Sequence, residues 1–203
     1  LQKYKNNLIY LPTLYNLSVF FSFYIINNSN IQDSEFINKL KCNDPLAQKQ
    51  LYDRYAAALL SVCRLYIKDA HFAEDALLKA FYKIFTHIQQ YKPQQKLYAW
   101  MRRITVNECI DFLRSKQQKL IYSDWNDNYD TIDDSALDEA SYQEAQIQAF
   151  INQLPEGSRM VFNLYVFEDY THKQIAQTLG ISEGTSKSQL AYAKKMLKKY
   201  VER

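Results

Sequence analysis

Three glycines and four prolines are all that 203 residues offer for breaking regular structure. A β-rich chain needs many tight turns, and those turns draw on the left-handed freedom of glycine and the preset φ of proline. So few breakers point to an all-α fold. With 47% hydrophobic residues there is ample material for cores, and the length suits one large domain or two small ones.

Charge argues for two. The net charge is only +3, but it is unevenly spread. Residues 1–30 carry two lysines and no acids, and residues 31–119 carry fifteen Lys/Arg against nine Asp/Glu. Residues 120–158 carry nine acids and no Lys/Arg, and residues 159–203 carry eight Lys/Arg against four acids. Two basic blocks separated by an acidic one suggest two polyanion-binding modules with a different kind of segment between them.

Catalysis finds little support. Cys42, Cys63 and Cys109 are odd in number, widely spaced and in apolar helical settings, which reads as reduced core cysteines. His71, His87 and His172 have no ligand spacing and read as surface or cap residues, so no metal site is expected. No nucleophile elbow, P-loop or dinucleotide fingerprint occurs, and neither a cofactor nor a small-molecule substrate is expected.

Residues 8–26 are uncharged, nearly long enough to cross a bilayer, and preceded by Lys3 and Lys5. Pro12, Asn7, Asn16, Ser18 and Ser22 interrupt the run. Three readings of residues 1–30 stand side by side: an extension upstream of the native start, a membrane-associated tail, or an ordered part of the fold.

From residue 31 a helical period takes over. Phe36, Ile37 and Leu40 form a first short stripe, and Asp44 is placed to cap, with Pro45 to open, a second helix. That helix carries Leu51, Tyr55, Leu59 and Val62 to about Ile67. In a third, Phe72, Ala76, Ala80, Ile84 and Ile88, with Leu77, Phe81 and Phe85, make a buried face. Glu74, Asp75, Lys79, Tyr82 and Lys83 lie opposite, as a solvated face or a docking face. After the polar break at residues 91–96 a fourth helix begins. Arg103, Asn107 and Arg114 fall on one narrow stripe of it, an arrangement that suits phosphates and base edges and equally suits a plain charged surface. Tyr98 and Trp100 lie near the loop, where aromatic rings can stack on unpaired bases or fill a core.

The acidic stretch from residue 119 reads as a linker entering a helix near Ser141. Beyond Pro155 comes a helix bearing Val161, Leu164 and Tyr165. Next are a Thr171–Gln174 capping box, a buried side of Ile175, Ala176 and Leu179, a stop at Gly180, and Ser182 as the next cap. This is a helix-turn-helix. In its second helix Thr185 and Ser186 would meet a phosphate, and Lys187, Ser188, Gln189 and Tyr192 project from the turns that enter a major groove. Lys194, Lys195, Lys198 and Lys199 add attraction blind to sequence, while Leu190, Ala193 and Leu197 face inward.

With "AEDALLKAFYKIF" and "AWMRRITVNECIDFLR" in the first basic block and "LPEGSRMVFNLYVFEDYTHKQIAQTLGISEGTSKSQL" in the second, residues 36–203 resemble the two-domain sigma factors of the sigma-70 family, extracytoplasmic-function group. The resemblance implies two small helical domains, a region 2 bundle over 31–118 and a region 4 helix-turn-helix over 143–203, joined by an acidic linker over 119–142. It implies a non-catalytic, cytoplasmic subunit that binds core RNA polymerase and directs promoter recognition, DNA melting and initiation. Asp75, Leu78, Lys79 and Tyr82 would face the polymerase. Tyr98, Arg102, Arg103, Asn107 and Arg114 would handle the minus-ten element, and the linker would follow the polymerase's RNA path. Thr185, Ser186, Lys187, Ser188, Gln189, Tyr192 and Lys195 would handle the minus-thirty-five element. An anti-sigma partner is a further expectation of the resemblance, and any membrane contact would come through it. The family commonly has a glutamine–acid pair where this chain has Leu78 and Lys79, and arginines where it has Gln189 and Tyr192. The competing readings are a stand-alone helix-turn-helix regulator, which leaves residues 71–114 unexplained, and a membrane-tethered signalling protein, which rests on residues 8–26 alone.

Overall fold

A computed structural model describes residues 34–120 and 148–201, which belong to two compact units. The expectations for residues 1–30, for the linker and for a helix start near Ser141 lie outside the described residues. All regular structure in the described residues is helical, with no strand among them.

In the first unit α1 (Ser34–Lys41) buries Ile37 and Leu40. Asn43 then turns the chain with a φ of 58°, a left-handed conformation that Asn tolerates better than most residues. The Asp44 carboxylate accepts from the N–H groups of Leu46 and Ala47 at 2.8 and 2.9 Å, and Pro45 opens α2 (Pro45–Tyr66). Leu51, Tyr55, Leu59 and Val62 are buried as their spacing requires. Asp69 caps α3 (Ala70–Thr86) through the Phe72 N–H at 3.0 Å, and a 3₁₀ turn (Ile88–Gln90) follows. The Gln89 side chain donates to the Lys41 carbonyl at 2.6 Å, joining that turn to the end of α1. α4 (Leu97–Leu120) packs against both α2 and α3 and buries Met101, Val106, Cys109, Ile110 and Leu113.

Two core assignments need correction in this unit. Phe72 is exposed: it stands on the first turn of α3, with its ring 5.3 Å from that of Phe112. Cys42 is exposed too, in the turn after α1, whereas Cys63 and Cys109 are buried free thiols as expected.

In the second unit a helical segment over 148–153 precedes α5 (Glu156–Val166), α6 (His172–Leu179) and α7 (Glu183–Val201). α5 and α7 form the main packing, with α6 set against α7. Phe150, Ile151, Leu154, Val161, Leu164 and Ile175 are buried at its centre. Ser158, Arg159 and Asn163 are buried along with them, a polar set that apolar periodicity does not reveal. Burial pulls the Arg159 guanidinium below its ordinary pKa, and the Glu156 carboxylate opposes that shift.

Candidate nucleic-acid interface

The helix-turn-helix is built by local chemistry. Thr171 Oγ1 accepts from the Gln174 N–H at 3.3 Å, and Gln174 Oε1 accepts from the Thr171 N–H at 2.9 Å. This reciprocal capping satisfies two N–H groups that the start of α6 would otherwise leave open. Gly180 ends α6 at φ 67°, ψ 33°, a conformation in which a β-carbon would strain the backbone. Ser182 Oγ then accepts from the Thr185 N–H at 2.9 Å and starts α7. Leu190, Ala193 and Leu197 are buried, so the opposite side of α7 is its outward face.

Thr185, Lys187, Ser188, Tyr192 and Lys195 are all exposed on α7. Ser186 is not. It is 0% exposed, and its hydroxyl lies 2.9 Å from Nδ1 of His172, so the expectation that it meets a phosphate is corrected: its partner is inside the domain. The His172 ring stacks on Tyr165 at 5.0 Å, and the Lys194 ammonium stands 5.7 Å over that same tyrosine ring. Burial first, then the positive charges of Lys187 and Lys194, hold the His172 pKa below its ordinary value, with Glu183 opposing. Gln189 is half-buried, and its side-chain carbonyl accepts from the hydroxyl of Ser158 on α5. No sequence spacing announces either contact, because each joins residues far apart in the chain.

In the first unit Arg103, Asn107 and Arg114 are exposed on one stripe of α4, and Arg102 is half-buried beside them. Tyr98 is 4% exposed, its ring 6.0 Å from Tyr55, so it braces the helix start from within and offers no open face to a base. That placement corrects the stacking role expected of it. Trp100 is half-buried against Tyr91, 5.6 Å between centroids, and the Tyr91 hydroxyl donates to the Gln95 carbonyl at 2.7 Å, which shapes the 91–96 loop.

Asp75, Leu78, Lys79 and Tyr82 share one side of α3 at helical spacing, and all four are exposed. Leu78 and Tyr82 are 56% and 71% exposed, so this face carries apolar as well as charged surface. Lys83, grouped by periodicity with that face, instead pairs across to α4. Its ammonium is 2.6 Å from Glu108 and 3.5 Å from Asp111. The hydrogen bond to Glu108 is the main reason the Lys83 pKa is raised, against the opposing effect of burial. His87 closes α3 as a cap residue, Nδ1 lying 2.8 Å from the Lys83 carbonyl. Among the described residues there is no group of His, Cys, Asp and Glu able to hold a metal, and no helix long and apolar enough to cross a membrane.

Comparison with known proteins joins the two surfaces into one kind of molecule. The family described as Sigma-70 region 2 matches residues 51–119, and that described as Sigma-70, region 4 matches residues 144–197. RNA polymerase sigma factor SigZ of Bacillus subtilis is 31% identical over 156 residues, covering 76% of this chain and 86% of that protein. ECF RNA polymerase sigma factor SigM of the same organism is 26% identical over 152 residues, covering 73% and 91%. Among solved structures, the sigma factor RpoE of Bartonella quintana, in complex with the anti-sigma factor NepR, shares the fold. The TM-score is 0.53 at 20% identity, over 76% of this chain and 96% of that one. Two family regions in their proper order, each carried by one of the two helical units, place this chain in the sigma-70 family of bacterial RNA polymerase sigma factors, within the ECF group.

Proposed function

We propose that the chain is a promoter-specificity subunit that binds core RNA polymerase, recognises a two-part promoter and assists its melting, making no chemical step of its own. The observation that carries this reading is the pairing, in one chain, of a helix-turn-helix with a second helical unit that displays an exposed Arg103–Asn107–Arg114 stripe. A stand-alone regulator leaves residues 71–114 unexplained. The domains we assign are 31–118 and 143–203, with 119–142 as the linker.

In this reading Asp75, Leu78, Lys79 and Tyr82 dock on polymerase. Apolar Leu78 and Tyr82 supply the buried area, and the two charges set orientation. Arg102, Arg103 and Arg114 neutralise phosphates near the minus-ten element, while Asn107 is a donor and acceptor for a base edge as the duplex opens. Thr185, Lys187, Ser188, Tyr192 and Lys195 face the minus-thirty-five element. The place of action is the cytoplasm, where polymerase and promoter meet. The Bartonella quintana relative is held by an anti-sigma factor, and a partner of that kind is proposed for this chain too.

Run-off transcription with core polymerase on fragments of the chain's own genome tests the reading. The expected result is initiation at discrete sites that depends on this chain. Specific DNA binding by the chain alone, with no core-dependent start anywhere, would return the reading to a stand-alone regulator. Asn107→Ala is expected to lower the rate of promoter opening by about tenfold while leaving initial binding nearly unchanged. Equal losses in both would remove Asn107 from the melting role.

A further inference from the structure

Gln189 stands among the outward residues of α7, yet its side chain is committed inside its own domain. Its Oε1 accepts from the Ser158 hydroxyl, across 31 residues of chain. Ser158 is 1% exposed, on the first turn of α5. The carboxamide of Gln189 lies alongside the neighbouring Gly157, its atoms 3.7 to 3.8 Å from where a β-carbon on that glycine would stand. The amide is thus laid against the start of α5.

The buried residues of α7 beside it, Leu190, Ala193 and Leu197, are apolar, and the Lys194 ammonium over the Tyr165 ring adds a loose contact to α5 at 5.7 Å. Apolar burial is non-directional and by itself names no particular rotation of one helix on another. A hydrogen bond to a buried hydroxyl is directional and has a narrow range of useful distances. The geometry makes that difference large enough to matter. With side chains at roughly 5–6 Å from the helix axis, a rotation of about 10° moves a groove-facing atom by about 1 Å. That is more than a base contact tolerates.

We propose that Ser158 is a positioning residue that acts through Gln189: the pair sets the rotation of α7 about its own axis, and so the register in which Ser188 and Tyr192 meet the bases. Gln189 in this assignment is a strut of the reading head and reads no base itself. The inference rests on the reading of α7 as the grip on the upstream promoter element.

The test uses holoenzyme formed from the full chain and core polymerase, with a promoter library randomised across the upstream element. Base preference is measured position by position. Ser158→Ala and Gln189→Ala are each expected to flatten preferences at several adjacent positions, by about threefold or more at each. The double variant should be no worse than either single one, because both remove the same link. Gln189→Glu keeps an acceptor for the Ser158 hydroxyl but has no N–H to offer a base. It is expected to keep the wild-type ratios between bases while lowering occupancy uniformly.

Loss of preference at a single base pair in Gln189→Ala, with Ser158→Ala silent, would make Gln189 a direct reader and overturn the proposal. So would additive effects in the double variant, or a Gln189→Glu profile as flat as that of Gln189→Ala. Should Ser158→Ala lower the melting temperature, the half-exposed Gln189 variants decide alone: ratios kept by Glu and lost by Ala support the strut, and any other pattern overturns it. A wild-type holoenzyme that selects no upstream sequence would overturn the reading of α7 itself. That outcome is distinct from wild-type selection left unaltered by Ser158→Ala.

Discussion

The two units hold their outward-facing helices in different ways. In residues 34–120, α4 is held mainly by residues off its Arg103–Asn107–Arg114 stripe: the Lys83–Glu108 pair, the Tyr55–Tyr98 and Phe72–Phe112 ring contacts, and a buried apolar side. In residues 148–201, α7 is held partly by side chains in the very turns that face outward, Ser186 to His172 and Gln189 to Ser158. Where holding and reading are done by separate residues, a substitution disturbs one or the other. Where one turn of helix does both, as proposed for α7, stability and specificity are expected to change together.

The largest expected effect leaves this contrast intact and sharpens it. Leu164 and Leu59 are both fully buried, and truncation of either to Ala is expected to destabilise its own unit by about 2–5 kcal/mol through lost burial and a cavity. Denaturant unfolding followed by hydrogen exchange within each unit measures this. Similar costs would show that the units differ in their polar supports and not in the quality of their cores.

Next comes the ion pair. Lys83→Met leaves Glu108, only 7% exposed, without its cation. The expected loss is about 2 kcal/mol, below the value for a fully buried pair because Lys83 is itself partly solvated. Upstream base preferences should not move. If they do, the separation of holding from reading in the first unit fails.

Ser186→Ala should cost about 1 kcal/mol and, unlike Lys83→Met, also alter upstream base preference. The His172 contact adds a pH signature. Its pKa is lower in the fold than its ordinary value of about 6.5. The unfolded chain therefore takes up the proton first. Stability from the neutral ring is fully present above the ordinary value and is lost as pH falls from there toward the lower folded value. His172→Gln should flatten that acid-side decline in thermal melts, and an unchanged slope would remove the ring from this role.

The smallest effect is at Lys187. Replacing it with Ala is expected to weaken upstream binding at all sequences alike and reduce the salt slope by about one. A change confined to particular bases would mean that Lys187 reads as well as attracts.

Much of this molecule is written in short-range chemistry. Asp44 with Pro45, Thr171 with Gln174, the left-handed Gly180 and Ser182 with Thr185 involve partners no more than four residues apart, and local chain geometry alone brings such partners together. The same holds for the exposed faces Asp75–Leu78–Lys79–Tyr82 and Arg103–Asn107–Arg114, which follow from the 3.6-residue period. Membership of the sigma-70 family was legible for the same reason, since its motifs are runs of adjacent residues.

What the sequence could not disclose lies in contacts between distant segments. Nothing local marks Tyr98 as buried beside Tyr55, Lys83 as turned toward Glu108, Ser186 as a partner of His172, or Gln189 as tied to Ser158. A polar residue at the edge of a helical face has two fates, water or a partner on the next helix, and periodicity treats them alike. Only the packing of α3 on α4 and of α5 on α7 chooses between them, because the choice depends on which side chain the neighbouring helix brings within hydrogen-bonding distance. The sequence by itself determined the helices, their ends and the faces they offer. The tertiary structure alone decided which residues on those faces stand exposed and which are engaged by a neighbouring helix, because that depends on what the neighbour brings within reach.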